Sequence, residues 1–192
     1  MSVKTENRKN AFKKEALIHL DSLLRAANYM TGDESTSKNL VQETYMRAYC
    51  LWGNHNGASG FKTRLFRAMA SLLYELYNLN KSNSVTVDPD GISDGEDFEP
   101  EFELDSDGFE DLCNRVGGEM IRDSIRELPF QYRLILVLNF LERFSYQEIA
   151  EITGLNIGEA KSRLTEGRRY LLKILWEKIV SLGLVANHPA QN

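Results

Sequence analysis

The chain has 192 residues, enough for one medium domain or two small ones. A hydrophobic share of 42% suits a globular protein, and no stretch reaches the ~18 consecutive apolar residues of a membrane span. A net charge of −5 argues against a nucleic-acid partner until its distribution is considered. Twelve carboxylates lie between Asp88 and Asp111 with no Lys or Arg among them. The rest of the chain then holds 23 cations and sixteen anions, a net charge of +7. Two mildly basic parts are joined by an acidic segment.

Residues 1–17, MSVKTENRKNAFKKEAL, are charged and lack an apolar signal core, which predicts a cytoplasmic protein. Phe12, Ala16, Leu20, Leu23, Leu24 and Ala27 repeat near the helical period and predict a helix over residues 11–30. Thr31-Gly32-Asp33 ends it, and Ser35 or Ser37 can cap a helix over Lys38–Trp52. Leu40, Val41, Thr44, Tyr45, Ala48, Leu51 and Trp52 form its inward stripe. Asn39, Gln42, Glu43, Met46 and Arg47 form the outward one, which the pattern alone reads as a solvated face.

Gly53–Gly60 is a turn-rich loop, and Phe61–Leu79 is helical again. Phe61, Phe66, Tyr74 and Tyr77 stand there beside Lys62, Arg64 and Arg67. Rings beside cations can stack on unpaired bases and hold phosphates, and they can equally be core. Phe66 and Leu73 read as core, while Phe61 leaves both readings open. Residues 80–114 show no sustained period and read as an acidic linker, with Phe98, Phe102, Leu104 and Phe109 scattered in it. Few contacts are expected to tie the parts on either side.

Glu119–Leu128 predicts a short helix stopped by Pro129, which opens an apolar helix over Phe130–Leu141. The stretch Ser145–Arg169, SYQEIAEITGLNIGEAKSRLTEGRR, then reads as a helix-turn-helix. Ser145 and Glu148 form a capping box, Gly154 suits a left-handed turn, and Asn156 caps the second helix. Ile157, Ala160, Leu164 and Leu171 are its expected buried face, with Leu172, Leu175, Trp176 and Ile179 as further packing positions to about Leu182. Lys161, Ser162, Arg163, Arg168, Arg169 and Lys173 crowd the same helix with polar and cationic groups. The fold class expected is all-α, in two small helical domains.

Cys50 and Cys113 stand far apart, and His19, His55 and His188 have no ligand spacing, so no metal site and no cofactor are predicted. The acidic run lacks the spacing of a calcium loop. No phosphate loop, HExxH or GxSxG is present, so no enzyme or small-molecule substrate is predicted.

Two segments together resemble one family. Leu40–Ala48, LVQETYMRA, resembles the LVQETFLRA signature in region 2 of extracytoplasmic-function (group IV) sigma factors of the sigma-70 family. Ile125–Arg169 resembles region 4 of the same family through its LP step, apolar helix, SYQEIAEITGL and IGEAKSRL. The similarity covers about Phe12–Leu79 and Glu119–Leu175. It implies region 2 over residues 10–80, the acidic linker over 81–114 and region 4 over 115–183. Region 2 would bind the core RNA polymerase through Asn39, Gln42, Glu43 and Met46. It would meet the −10 element through Phe61, Lys62, Arg64 and Arg67. Region 4 would read the −35 element through Glu159, Lys161, Ser162, Arg163 and Glu166, with Arg168 and Arg169 on phosphates.

The partners implied are bacterial RNA polymerase core, promoter DNA and an anti-sigma factor. The linker would lie near the polymerase active-site and RNA-exit channels. An alternative of the same ancestry is a sigma-like mimic that sequesters an anti-sigma factor without directing transcription. Some positions depart from the family pattern: Thr165-Glu166 replaces a usual His-Arg, Ala70-Ser71 a usual Arg-Asn, and the basic stretch after the region 2 helix shrinks to Lys81. Fewer phosphate contacts imply salt-sensitive DNA binding. Glu159, Ser162 and Glu166 share an outward face on a helical wheel, where carboxylates would accept from cytosine amino groups or pair with Arg163 and Arg169.

Overall fold

The computed structural model describes residues 3–52, 60–83 and 116–181, and every element among them is helical. In chain order these are α1 (Val3–Leu17), α2 (Leu20–Thr31), α3 (Glu34–Leu51), α4 (Phe61–Asn83), α5 (Gly118–Glu127), α6 (Phe130–Leu136), α7 (Tyr146–Thr153) and α8 (Ile157–Ser181). A π-helical turn, Val137–Leu141, extends α6. Residues 53–59 of the glycine loop, the acidic stretch of 84–115 and the tail beyond 181 lie outside the described residues.

The helix expected over 11–30 is two helices, broken at Ile18–His19. The reason is tertiary. The Ala16 carbonyl accepts a short-range bond from the His19 N–H (3.1 Å) and a second from the Tyr45 hydroxyl (2.9 Å). Phe12 and Ala16 can then pack on α3 and α4 while Leu23, Ala26 and Ala27 of α2 face a different set of neighbours. The next helix starts earlier than expected, at Glu34. Asp33 is its cap, accepting from the Thr36 N–H at 2.7 Å. Ser37 is inside the helix, buried, with its hydroxyl bonded to the Asp33 carbonyl at 2.7 Å. Leu51, expected inward, is half exposed.

The helix-turn-helix forms as its local chemistry requires. Ser145 Oγ accepts from the Glu148 N–H, and Glu148 Oε2 accepts in return from the Ser145 N–H at 2.9 Å. Gly154 takes φ +76°, a conformation that disfavours any side chain. Asn156 Oδ1 accepts from the Glu159 N–H at 2.8 Å and opens α8. Ala160, Leu164, Leu171, Leu175 and Ile179 are buried. Ile157 and Trp176, expected to pack, are exposed by 53% and 37%. Gly167 takes a buried place instead, because an added Cβ there would lie 3.4 Å from Leu136 and Tyr132.

Beyond α6 the expected α-helix widens. The N–H of Glu142 bonds the carbonyl of Val137, five residues back, at 3.2 Å. Arg143 follows with φ +59°, and the Phe144 carbonyl accepts from Asn139 Nδ2 at 3.1 Å.

The largest departure concerns the two halves. Few contacts were expected between them, yet their buried residues form one continuous core. Phe66 of α4, fully buried, meets Phe144 edge to face at 5.0 Å. Tyr74 and Tyr77 of α4 pack on Phe130, the latter stacked at 4.7 Å. Arg133 of α6 donates to the Met30 carbonyl at 3.0 Å and also to Arg126 and Leu128 carbonyls. Arg126 reaches the Asn28 carbonyl at 3.5 Å. Two cations of the second half thus meet the negative end of the α2 dipole. The sequence pattern could not register this packing, because each half supplies apolar faces sufficient for its own small bundle.

The Ser145→Ala variant should lose about 1 kcal/mol of stability, read as a lower urea midpoint at unchanged slope. Acid should also destabilise the fold in a definite window. Hydrogen bonds from the Thr36 hydroxyl and N–H lower the Asp33 pKa, and bonds from the Ser145 N–H and hydroxyl lower that of Glu148. For folded pKa values below the unfolded ones, the stabilisation is present above the ordinary carboxylate pKa of about 4 and is lost as pH falls through the lowered values. An Asp33→Asn variant retains a capping side chain, so its urea midpoint should fall less steeply below about pH 4 than that of the parent.

Candidate nucleic-acid interface

α8 carries the residues expected at a −35 element. Its buried stripe fixes it against α6 and α7, leaving Lys161 and Ser162 exposed. Glu159 and Arg163, four apart, form an ion pair at 2.6 Å. Glu166 is not simply outward. Its Oε1 accepts from the Ser162 hydroxyl at 3.0 Å and its Oε2 from the Tyr132 hydroxyl at 2.8 Å. Burial and then the Glu166 hydrogen bond push the Tyr132 pKa up to about 12, so Tyr132 remains a donor at neutral pH. Arg168 turns inward to Asn139 Oδ1 at 3.1 Å, whereas Arg169 is exposed with its guanidinium near the Tyr170 ring. The exposed cations and hydroxyl at the start of α8 therefore reduce to Lys161, Ser162 and, further along, Arg169.

α3 displays Asn39, Gln42, Glu43 and Met46, all exposed, at the three- and four-residue steps of one face. Met46 is 56% exposed, an unusual position for a large apolar side chain on a solvated stripe. Beside it Arg47 is held by both Glu75 carboxylate oxygens at 2.7 and 3.0 Å.

The residues expected at a −10 element cluster at the start of α4. Phe61 belongs to an aromatic group with Phe12 and Trp52, at 5.7 and 5.0 Å, which gives it a packing role. Arg64 lies over the Trp52 and Phe61 rings at 5.6 and 5.4 Å. Arg67 is exposed. A cavity of about 420 Å³ opens among Arg47, Trp52, Phe61, Arg64 and Arg67, and Glu151 of α7 is part of its wall. Lys62 points elsewhere, into the contact between the halves. Its ammonium is 3.0 Å from Glu142 Oε2, bonds the Glu142 carbonyl at 2.9 Å and lies over the Phe144 ring at 4.7 Å. The Oε2 contact is a charge contact without hydrogen-bond direction, since that oxygen has no hydrogen-bond partner among the described residues.

One buried ion pair, between Arg25 and Glu142, escapes a reading of the sequence. The Glu142 side chain is wholly buried, and Arg25 of α2 grips its Oε1 with Nε at 3.2 Å and Nη2 at 2.9 Å. Glu148, besides closing its capping box, faces the Lys62 charge and the Thr63 hydroxyl, which lower its pKa further. Nothing local marks the Arg25–Glu142 pair, because the partners are 117 residues apart.

Residues 118–171 match the family described as Sigma-70, region 4. The ECF RNA polymerase sigma factor SigW of Bacillus subtilis is 27% identical over 86% of this chain and 89% of its own length. The RNA polymerase sigma-H factor of Pseudomonas aeruginosa is 28% identical over 87% of both chains. Among solved structures, the sigma factor RpoE in complex with the anti-sigma factor NepR from Bartonella quintana superposes with a TM-score of 0.63, covering 86% of this chain and 97% of that one at 23% identity. CnrH, in complex with the cytosolic domain of CnrY, gives 0.61 over 88% and 90% at 19% identity. The order of the two halves, the helix-turn-helix and these likenesses agree: residues 118–171 are a sigma-70 region 4, and the chain as a whole is similar to extracytoplasmic-function RNA polymerase sigma factors.

Proposed function

We propose that this chain binds the core of bacterial RNA polymerase in the cytoplasm and directs promoter-specific initiation, its first half meeting the −10 element and its second half the −35 element. The observation that carries the reading is the capped α7–α8 pair, with Lys161 and Ser162 exposed at the start of α8, inside the segment matched to region 4. A helix presented by its N-terminal end suits the major groove, where base edges are distinguishable. Lys161 and Ser162 are assigned to base edges and Arg169 to a phosphate. Asn39, Gln42, Glu43 and Met46 are assigned to the polymerase, supported by their exposure on one face of α3. Phe61, Lys62, Arg64 and Arg67 are assigned to the −10 region, with Phe61 as a wall of the cavity rather than a free stacking ring. One neighbour of like fold was solved with an anti-sigma factor, which supports a partner of that kind here. No membrane attachment is assigned, and no described helix is long and apolar enough to cross a bilayer.

Reading both elements requires the halves to part. Elements centred about 25 base pairs apart are ~85 Å apart along the duplex at 3.4 Å per step. α4 and α8 are far closer than that, since the Glu159 and Arg163 charges act on Tyr74 of α4. The stretch of 84–115 supplies enough chain, about 105 Å when extended.

Run-off transcription with purified core polymerase on a promoter library tests the reading. Specific initiation is expected. Core binding without initiation would favour a sigma-like mimic, and the absence of both core binding and initiation would overturn both readings. Two substitutions refine it. Met46→Glu should lower core affinity at least about ten-fold, equivalent to about 1.4 kcal/mol, with DNA binding by the isolated chain unchanged. Lys161→Ala should relax preference at one −35 position by about 1–3 kcal/mol, whereas Arg169→Ala should weaken all sequences alike and reduce the salt slope by about one. Specificity profiles from the library separate the two outcomes.

A further inference from the structure

Glu166 lies one turn beyond Ser162 on α8, and its two carboxylate oxygens are divided between two hydroxyls. Oε1 accepts from Ser162 Oγ at 3.0 Å and Oε2 accepts from the Tyr132 hydroxyl at 2.8 Å. A carboxylate only accepts, so each hydroxyl commits its one proton to it. The packing of α6 on α8 puts Tyr132 in reach. A Cβ at Gly167 would lie 3.4 Å from the Tyr132 Cβ, so the bare glycine admits the tyrosine beside Glu166. The Tyr132 ring rests on that of Tyr170, one turn further along α8, with centroids 5.1 Å apart. Burial and the bond to Glu166 keep the Tyr132 hydroxyl protonated at neutral pH. The Gln131 side chain, whose bond lowers that pKa, donates to the same phenol oxygen and leaves Tyr132 to donate towards Glu166. Ser162 Oγ, exposed at the start of α8, is left with lone pairs to offer and no proton.

We propose that Tyr132 and Glu166 are positioning residues that fix the Ser162 hydroxyl as an acceptor, so that Ser162 selects, at one base pair of the −35 element, a base with an exocyclic amino group over one with a keto oxygen. The inference rests on the reading of α8 as a major-groove helix and adds the chemistry of one contact. In that groove adenine and cytosine offer N–H donors at N6 and N4, whereas guanine and thymine offer O6 and O4 as acceptors. A serine free to rotate its proton meets either class. Here a keto base would set two acceptors face to face. Turning the serine proton outward to meet it would break a charge-assisted bond to Glu166. Specificity at this position therefore comes from the residues beneath the serine, which themselves need not touch DNA.

The test uses holoenzyme assembled from the full chain and bacterial core polymerase, on a library in which the −35 positions vary and the rest of the promoter is constant. The full chain alone is run in parallel against the same −35 sequences as short duplexes, with bound DNA recovered by gel shift. The position read by Ser162 is the one whose preference Ser162→Ala flattens. In the parent, both amino bases on one strand should outrank both keto bases there by about three- to ten-fold, the scale of one hydrogen bond. Glu166→Gln is the deciding variant. Its amide oxygen accepts from Tyr132, so its NH2 donates to Ser162 and turns the serine proton outward. The preference on that strand should invert to guanine and thymine. Adding Tyr132→Phe frees the amide to flip, and the preference should shrink to within about two-fold. Both changes are nearly isosteric, and circular dichroism checks that the helices persist.

A parent preference that sorts purine from pyrimidine would overturn the proposal, as would an unchanged order of bases in folded Glu166→Gln. So would a preference that survives Ser162→Ala and is lost only with Glu166, which would assign the contact to the carboxylate itself. A uniform loss of affinity for every sequence in the Glu166 and Tyr132 variants would make the network structural alone. Run-off transcription by the parent chain separates this from the sigma reading. Transcription without inversion sinks the role given to Ser162 and leaves the sigma reading. Inversion on the duplexes without transcription sinks the sigma reading and leaves the acceptor standing. No sequence preference in either assay sinks both.

Discussion

A carboxylate removed from water needs compensating charge, and Glu142 finds it in the opposite half of the chain, from Arg25 and Lys62. The rest of the closed arrangement follows from that pairing. Placing Glu142 there seats Phe144 against Phe66 and brings α7 along α4. The same docking lets Arg126 and Arg133 reach the carbonyl end of α2. These contacts are cooperative in a simple sense: parting the halves would expose the Phe66–Phe144 contact and leave Glu142, still at the edge of an apolar core, to find water.

This arrangement sets α4 of the first half against the helices of the second. α4 carries Lys62, Arg64 and Arg67 near its start, and α8 exposes Lys161 and Ser162 near its own. In the closed chain the aromatic side of α4 lies against α6 while the charges of Glu159 and Arg163 act on Tyr74. Folded this way, the chain buries apolar surface of both halves in one core. The outward face of α3, with Asn39, Gln42, Glu43 and Met46, stays uncovered in this arrangement.

Local chemistry was legible in the sequence where local chemistry decides. The capping box of Ser145 and Glu148, the glycine turn and the Asn156 cap each involve residues within four positions of one another, and all are present. The α1–α2 break was not legible, because it depends on Tyr45, twenty-nine residues from the carbonyl it binds. Asp33 displaced the expected serine caps because the run Asp-Glu-Ser-Thr-Ser offers several cap candidates, and packing of Ser37 selects among them. Most of the buried stripe of α8, Ala160, Leu164, Leu171, Leu175 and Ile179, was legible from helical periodicity. Glu166 was placed on an outward face by the same reasoning, but its carboxylate is held by Tyr132, thirty-four residues away. Arg25 and Glu142 are 117 residues apart, and neither has a neighbour in sequence that hints at the other.

The π-helical turn at Val137–Leu141 has a further consequence, for how the closed state could be lost. A π turn fits one more residue into a helical turn than an α turn does. Deleting a single residue there would let the segment relax to an α-helix and rotate all that follows by about 100° relative to α6. Glu142 would swing off the line to Arg25 and Lys62, while the capping box and the reading face of α8, being local, would survive. The contact between the halves and the local structure of α7 and α8 are therefore separable by one codon.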